Sequence, residues 1–213
     1  MEKMDAWYLD INRIGYEDAF ELQKKLVDAR SKDEIKDTFI LLEHEPVFTA
    51  NRDVTFNNIV VPKEVLEQQG VEVCKTDRGG DVTYHGPGQL VLYCLLDLNR
   101  LGLGVRGFVT HIELSIIELL SRYNVKAIAR KNSPGVYVNA AKIAALGLRI
   151  RKGCCYHGLS LNIDMDLGPF SRINPCGLKG QAVTQMVDLN ISIGLDQAGQ
   201  ELTDILIGNI SRG

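Results

Sequence analysis

Twelve residues limit the folds open to this chain more than any others: Arg78-Gly79-Gly80-Asp81-Val82-Thr83-Tyr84-His85-Gly86-Pro87-Gly88-Gln89. Four glycines and a proline exclude a helix here and make a poor strand interior. The apolar run Leu90–Leu98 follows at once and reads as a buried strand. A glycine-rich polar loop is therefore carried on a core strand. A tight surface turn with incidental polar residues is the simpler alternative. The side chains between the glycines (Arg78, Thr83, Tyr84, His85) favour a loop that meets a ligand.

The rest of the chain alternates between two hydrophobic periods. Ala6–Ile14 reads as a strand with Trp7, Leu9 and Ile11 on one face, and Tyr16–Arg30 as an amphipathic helix. Thr38–Leu42 is a short apolar strand, and 44–49 leaves it as a loop because Glu45 precedes Pro46. His44, at the strand end, either lines a pocket or bonds to backbone. The polar stretch Asn51–Asn58 has no period and suits a mobile segment. Pro62–Gln69 reads as a short helix and Val71–Thr76 as the strand leading into the glycine-rich loop. Val105–Tyr123 carries one apolar stripe and is the clearest helix, with His111 in a structural place. Val136–Val138, Lys142–Arg151 and Cys154–Ile163 read as strands, the last two joined by a hairpin at Lys152-Gly153. Asp164–Pro175 is loop-like, Val183–Leu189 reads as a last strand, and Leu195–Ile210 as a closing helix. Strands outnumber helices without strict alternation. The expected fold is α+β, a single domain over residues 1–213 with a mixed, largely antiparallel sheet packed with helices.

Composition narrows the class. With 213 residues, 45% hydrophobic and 24% charged, the chain can bury an ordinary core without staples. A net charge of −3 argues against a general nucleic-acid binder. No apolar run approaches the length of a membrane span, and the first residues have neither a signal-peptide nor a transit-peptide pattern, so a cytoplasmic location is expected. The five cysteines include no Cys-x-x-Cys, which fits a reducing compartment better than a disulfide framework or a zinc site. The four histidines show no short metal-ligand spacing. P-loop and Gly-x-Ser-x-Gly patterns are absent, so ATP use has no support from the sequence, and no cofactor or metal is expected.

Two residues invite chemistry. Cys176 stands between Pro175 and Gly177, an unusual setting for a packing cysteine and a suitable one for a nucleophile. A free thiol is mostly protonated near neutral pH, so a neighbouring cation is needed to favour the thiolate. Lys142 lies in Asn139-Ala140-Ala141-Lys142-Ile143-Ala144-Ala145, where small apolar neighbours suggest partial desolvation. A lysine reaching solvent from a strand is the competing reading.

Taken together, these blocks resemble the lipoyl(octanoyl) transferase family. The likeness rests on Arg78-Gly79-Gly80 through Gln89, Pro134–Val138, Ala141–Gly147 and Phe170–Gly177, in the family's order and over nearly the whole chain. The resemblance implies a fold of the biotin/lipoate protein ligase type. It implies transfer of an octanoyl group from octanoyl-acyl carrier protein to a lysine of lipoyl domains, those of 2-oxoacid dehydrogenase complexes and of the glycine cleavage H protein. By matching positions it makes Cys176 the acyl-thioester nucleophile and Lys142 its partner. Arg78, Gly79, Gly80, Asp81, Val82, Thr83, Tyr84 and His85, with Ala145, Leu146, Gly147, Gly158, Leu159 and Ser160, would line the acyl and pantetheine path. Neither nucleic acid nor membrane is an expected partner. The basic residues Arg130, Lys131, Arg149, Arg151 and Lys152 are candidates for one local patch that meets an acidic carrier, the alternative being a solvated face. An ATP-dependent lipoate or octanoate ligase, a non-catalytic acyl-protein binding module, and an amidotransferase between lipoyl domains are the alternatives.

Overall fold

The computed structural model describes residues 4–51, 58–174 and 181–212. The first strand, β1 (Ala6–Ile14), leads through helix α1 (Tyr16–Arg30) into β2 (Asp37–His44). β1 and β2 pair in parallel, as a strand–helix–strand crossover allows. β1 is an edge strand. Its register slips between Asp10 and Arg13, and Asn12 takes a left-handed φ of 58°. Leu9 and Ile11 pack inward, but Trp7, on the same edge strand, stays 45% exposed.

α1 begins with Glu17 and Asp18 in its first turn and ends on Arg30, charges that suit the helix dipole. Its buried face is Tyr16, Ala19, Phe20, Gln23, Val27 and Arg30. The buried Arg30 guanidinium donates to Asp37 at 2.7 Å and to Asp33 at 2.6 Å, and Asp37 also accepts from Arg100 and, at 3.0 Å, from the Asp97 N–H. This network pins the helix end to the sheet.

Helix α2 (Lys63–Gln68) lies between β3 (Val47–Asn51) and β4 (Glu72–Thr76); β5 (Thr83–His85) follows, and then the core strand β6 (Gln89–Leu95). Helix α3 (Val105–Arg122) leads to the short β7 (Ile128–Ala129) and β8 (Val136–Val138). The long hairpin β9 (Ala141–Arg151) and β10 (Cys154–Asn162) and the final helix α4 (Leu195–Arg212) complete the chain. Among the described residues, the main sheet runs β1-β2-β6-β10-β9-β8-β7, antiparallel at every pairing except β1–β2. A smaller sheet, β4-β3-β5, stands beside it. Along β6, Leu90, Leu92 and Cys94 pack toward α3 and α4, while Val91, Tyr93 and Leu95 pack toward α1. The fold is thus α+β with a mixed, largely antiparallel sheet between helices.

Three local expectations change. The loop read over 44–49 contains β3: Pro46 ends β2, but Val47, Phe48 and Thr49 pair at once with β4 and β5. The glycine-rich stretch contains β5, since Thr83, Tyr84 and His85 pair with β3. Val183–Leu189 is not a strand. Its backbone bonds go instead to the ends of β9 and β10, with Thr184 N–H donating to Lys142 C=O at 3.0 Å and Met186 N–H to Asn162 C=O at 3.0 Å. A 3-10 turn then occupies Val187–Leu189. Most of Asn51–Asn58 lies outside the described residues. The hairpin forms at Lys152-Gly153, both with positive φ (52° and 84°), as a two-residue turn of this hand requires.

Candidate active site

A cavity of about 370 Å³ lies on the α1 side of β9, β10 and β6. Its floor is made of cross-strand rows of small side chains. Ala145 pairs with Ser160 and Ser160 with Val91; Gly147 pairs with Gly158 and Gly158 with Tyr93. Two of these positions admit no side chain. A Cβ on Gly158 would sit 2.0 Å from the Leu92 carbonyl oxygen, and one on Gly147 would sit 2.7 Å from that of Gly79.

The glycine-rich segment is the roof. Gly79 N–H donates to Leu148 C=O at 3.0 Å, which lays the strap directly on β9. The buried Arg78 guanidinium donates to the Thr49 carbonyl (2.8 Å), the Thr49 hydroxyl (2.9 Å) and the Gly79 carbonyl (3.0 Å). Asn51 donates to the Arg78 carbonyl at 2.9 Å, and Asn58 to the Asp81 carboxylate at 2.6 Å. Arg78, Gly79, Gly80, Asp81, Val82, Thr83 and His85 all border the cavity, as do Ala145, Leu146, Gly147, Gly158, Leu159 and Ser160. Tyr84 does not. Strand alternation turns its ring the other way, between Phe48 and Phe170 (centroids 5.2 and 5.7 Å away), so it anchors the strap to the small-sheet core.

Lys142 stands at the outer edge of the cavity with Ser133, Pro134, Gln181 and Val183. Its backbone is held on both sides: its N–H donates to Ala182 C=O at 2.8 Å and its C=O accepts from Thr184 N–H. The half-buried side chain places Nζ 3.4 Å from the Pro134 carbonyl oxygen and 5.3 Å from the Tyr137 ring centroid. Gly135, at φ 137°, makes room for it, since a Cβ there would meet Lys142 Cε at 3.3 Å and the Ala144 carbonyl oxygen at 2.7 Å. Cys176 lies outside the described residues. The other four cysteines are free and buried. Burial, with the neighbouring carboxylates, pushes the Cys74 thiol up to about 12; burial alone does most of this for Cys155, also about 12, and carries Cys94 well above the ordinary range. None of these four is an activated nucleophile.

The opposite wall was largely hidden in the sequence. It consists of Tyr16, His85, Tyr93 and His157, brought in by α1, β5, β6 and β10. Tyr93 sits inside an apolar run, Tyr16 reads as a helix start, and His157 as a strand residue. The usable signal was the alternation Gln89, Val91, Tyr93 on one face of a core strand. His157 takes a left-handed φ of 59°, which turns its ring to the α1 side beside Tyr156 and Phe20 (centroids 4.8 and 5.3 Å).

Hydrogen bonds fix the state of each ring. Asn162 donates its amide hydrogens to Thr184 C=O, so its oxygen accepts from Gln89 (2.9 Å) and the Gln89 oxygen accepts from His85 Nδ1–H (2.7 Å). His44 donates Nδ1–H to Ile14 C=O (3.0 Å), so its Nε2 accepts from the Tyr93 hydroxyl (2.6 Å). His157 Nε2–H donates to Asp77 (2.9 Å), which also accepts from Tyr156 (2.6 Å). Burial holds these imidazoles neutral: His44 falls to about 4, His85 lies well below its ordinary value, and His157 is lowered despite its carboxylate partner. Asp77 is pulled the other way by burial, but its bonds from His157 and Tyr156 and the Arg149 charge hold it at about 2.

The basic residues do not form one patch. Arg130 stacks on Tyr137 (3.9 Å to the centroid) near the cavity mouth, whereas Arg151 and Lys152 pair with Asp28 at the hairpin end. Lys142 and Arg151 are nine residues apart on β9, about 30 Å. Among the described residues no three His, Cys, Asp or Glu side chains gather as a metal site, and no helix is long and apolar enough to cross a membrane.

The model of the lipoyl protein ligase A/B catalytic domain matches residues 15–206. An octanoyltransferase of Dechloromonas aromatica is 46% identical over 202 residues, 95% of each chain. Among solved structures, a bipartite lipoate protein ligase of Thermoplasma acidophilum superposes with a TM-score of 0.75 at 13% identity, covering 98% of this chain and 84% of the other. A biotin protein ligase of Aquifex aeolicus, in complex with biotin and ATP, does so at 0.60 and 10% identity, covering 98% and 71%. The two structures share the fold.

Proposed function

The chain belongs to the lipoyl protein ligase A/B catalytic domain family, among its octanoyltransferases, and on that premise we propose that it moves an octanoyl group from acyl carrier protein to a lysine of a lipoyl domain. The observation that carries the reading is Lys142, held by the 182–184 segment at the edge of a cavity floored with small residues and roofed by the Arg78–Thr83 strap. Gln181, five positions after Cys176 in the sequence, lines the same edge.

In this reading the Cys176 thiolate attacks the donor thioester. A carbon–sulfur bond to Cys176 forms and the bond to the donor sulfur breaks; Lys142, which holds the proton taken from the Cys176 thiol, returns it to the departing sulfur, so the donor leaves as a thiol and Lys142 is neutral again. The neutral acceptor amine then attacks the acyl-enzyme. A carbon–nitrogen bond forms, the Cys176 bond breaks, and Lys142 carries the amine's proton to the departing sulfur. Thioester exchange is close to isoenergetic, so no nucleotide enters. The N–H groups of Lys142 and Gly79 already bond Ala182 and Leu148, so neither serves the oxyanion. Lipoyl domains of 2-oxoacid dehydrogenase complexes and the glycine cleavage H protein are the acceptors this reading names.

The test is transfer from octanoyl carrier protein to an apo lipoyl domain without ATP. Octanoylation of the domain, with ping-pong kinetics and a rate about 10²- to 10⁴-fold lower in Lys142→Ala, is the expected result. Dependence on ATP and free octanoate would point to a ligase instead.

A further inference from the structure

The wall facing Lys142 across the cavity is not hydrocarbon. The polar atoms that His85 and Tyr16 present to the cavity are, by the networks above, acceptors. His85 gives Nδ1–H to Gln89, so Nε2 carries a lone pair, and among the described residues no partner meets it. The hydroxyl hydrogens of Tyr16 and Tyr93 go to Thr76 (2.7 Å) and His44 (2.6 Å); the Tyr16 oxygen is left as an acceptor, while the Tyr93 oxygen already faces the Gln23 amide. The rings are locked face to face: His85 is stacked on Tyr16 (6.1 Å, 6°), and His44 packs against both Tyr16 (5.2 Å) and His85 (5.6 Å). The nearest cation, Arg78, directs hydrogens from all three of its nitrogens to Thr49 and Gly79.

We propose that this wall recognises a hydrogen-bond donor at the far end of the acyl chain, so that the cavity accepts medium-chain acyl groups bearing a terminal hydroxyl as well as plain ones. The inference rests on the acyl-transfer reading and adds a substrate class to it. The dimensions agree. Gln89, which holds His85, pairs with Asn162 one place beyond the Leu161–Ala144 pair, so it lies at the level of Ile143, beside Lys142, and two strand spacings, about 10 Å, separate β9 from β6. A chain of eight to ten carbons advances about 1.3 Å per bond and spans about 9–12 Å. Its tail therefore comes to the acceptors rather than stopping far short of them. A plain methyl end leaves these acceptors to water, and a hydroxyl satisfies one directly.

The experiment compares isosteric donors on carrier protein: 8-hydroxyoctanoyl against nonanoyl, and 10-hydroxydecanoyl against undecanoyl, with octanoyl as reference. An apolar wall would disfavour the hydroxyl, by about 100-fold in kcat/KM. The proposed wall makes the hydroxyl equal or better in at least one pair. It also predicts that His85→Phe, which keeps a ring and removes the acceptor, shifts that pair's ratio at least 10-fold toward the methyl. Tyr16→Phe, which keeps the phenol's shape, is the control should His85→Phe not fold, and it must shift the ratio the same way. Rejection of the hydroxyl in both pairs, or a ratio that neither variant moves, overturns the inference while octanoyl is still transferred. Failure with octanoyl itself would instead remove the reading on which it rests.

Discussion

His44, His85 and His157 are three imidazoles kept neutral in one buried cluster, and their protonation sets how the protein responds to acid. A histidine whose folded pKa is depressed binds its proton more readily when unfolded. Stability is then complete above about pH 6.5 and falls as pH drops toward the folded value. For His44, moved to about 4 by burial, the full loss is about 3 kcal/mol. Asp77, held at about 2, adds a second loss only below about pH 4. Thermal melts should show a constant Tm above pH 7 and a steady fall from pH 6.5 to 4. A Tm unchanged between pH 7 and 5 would mean that the three histidines take up protons without disturbing the cluster. Of these rings, His85 was legible as a site residue because glycines surround it. His157 was not, since its left-handed backbone breaks the alternation that a strand reading assumes.

At the scale of elements, the site depends on how closely the strap and β9 approach. A Cβ at Gly147 would stand 2.7 Å from the Gly79 carbonyl and 3.2 Å from Arg78 Cδ. Gly147→Ala should lift the strap, raise KM for the acyl donor several-fold and cost about 1–3 kcal/mol in denaturant melts. Gly107 on α3 has nothing within 4 Å of its Cβ position. Gly107→Ala should raise stability by about 1 kcal/mol with activity unchanged. The same contrast explains what the sequence revealed of the elements. Long periodic segments (α1, α3, α4, the β9–β10 hairpin) were legible because their apolar stripes are local. β3 and β5 were obscured by Pro46 and by the glycines, since short strands owe their existence to partners far along the chain. Val183–Leu189 looked like a strand, but its hydrogen bonds go to the ends of β9 and β10.

For the whole molecule, a net charge of −3 leaves attraction of an acidic carrier to local groups. The sequence proposes one basic patch. The fold separates Arg130 and Lys131, beside the cavity mouth, from Arg151 and Lys152, which pair with Asp28 about 30 Å along β9. Reversing Arg130 and Lys131 to Glu should lower kcat/KM for a carrier-protein donor about 10-fold at low salt, less at high salt, and leave a small thioester donor unaffected. Reversing Arg151 and Lys152 should change carrier use by less than about 2-fold. Equal effects of the two pairs would restore the single patch. Charge counting saw the residues but not the length of strand between them.

The most direct measurement is the intact mass of the protein after mixing with octanoyl carrier protein, without ATP, for the wild type and Cys176→Ser in parallel. One added octanoyl group on the wild type, absent from the variant and discharged by an apo lipoyl domain, is the predicted result. A wild type that transfers octanoate yet never carries it, or a Cys176→Ser variant that transfers as fast, would contradict the account.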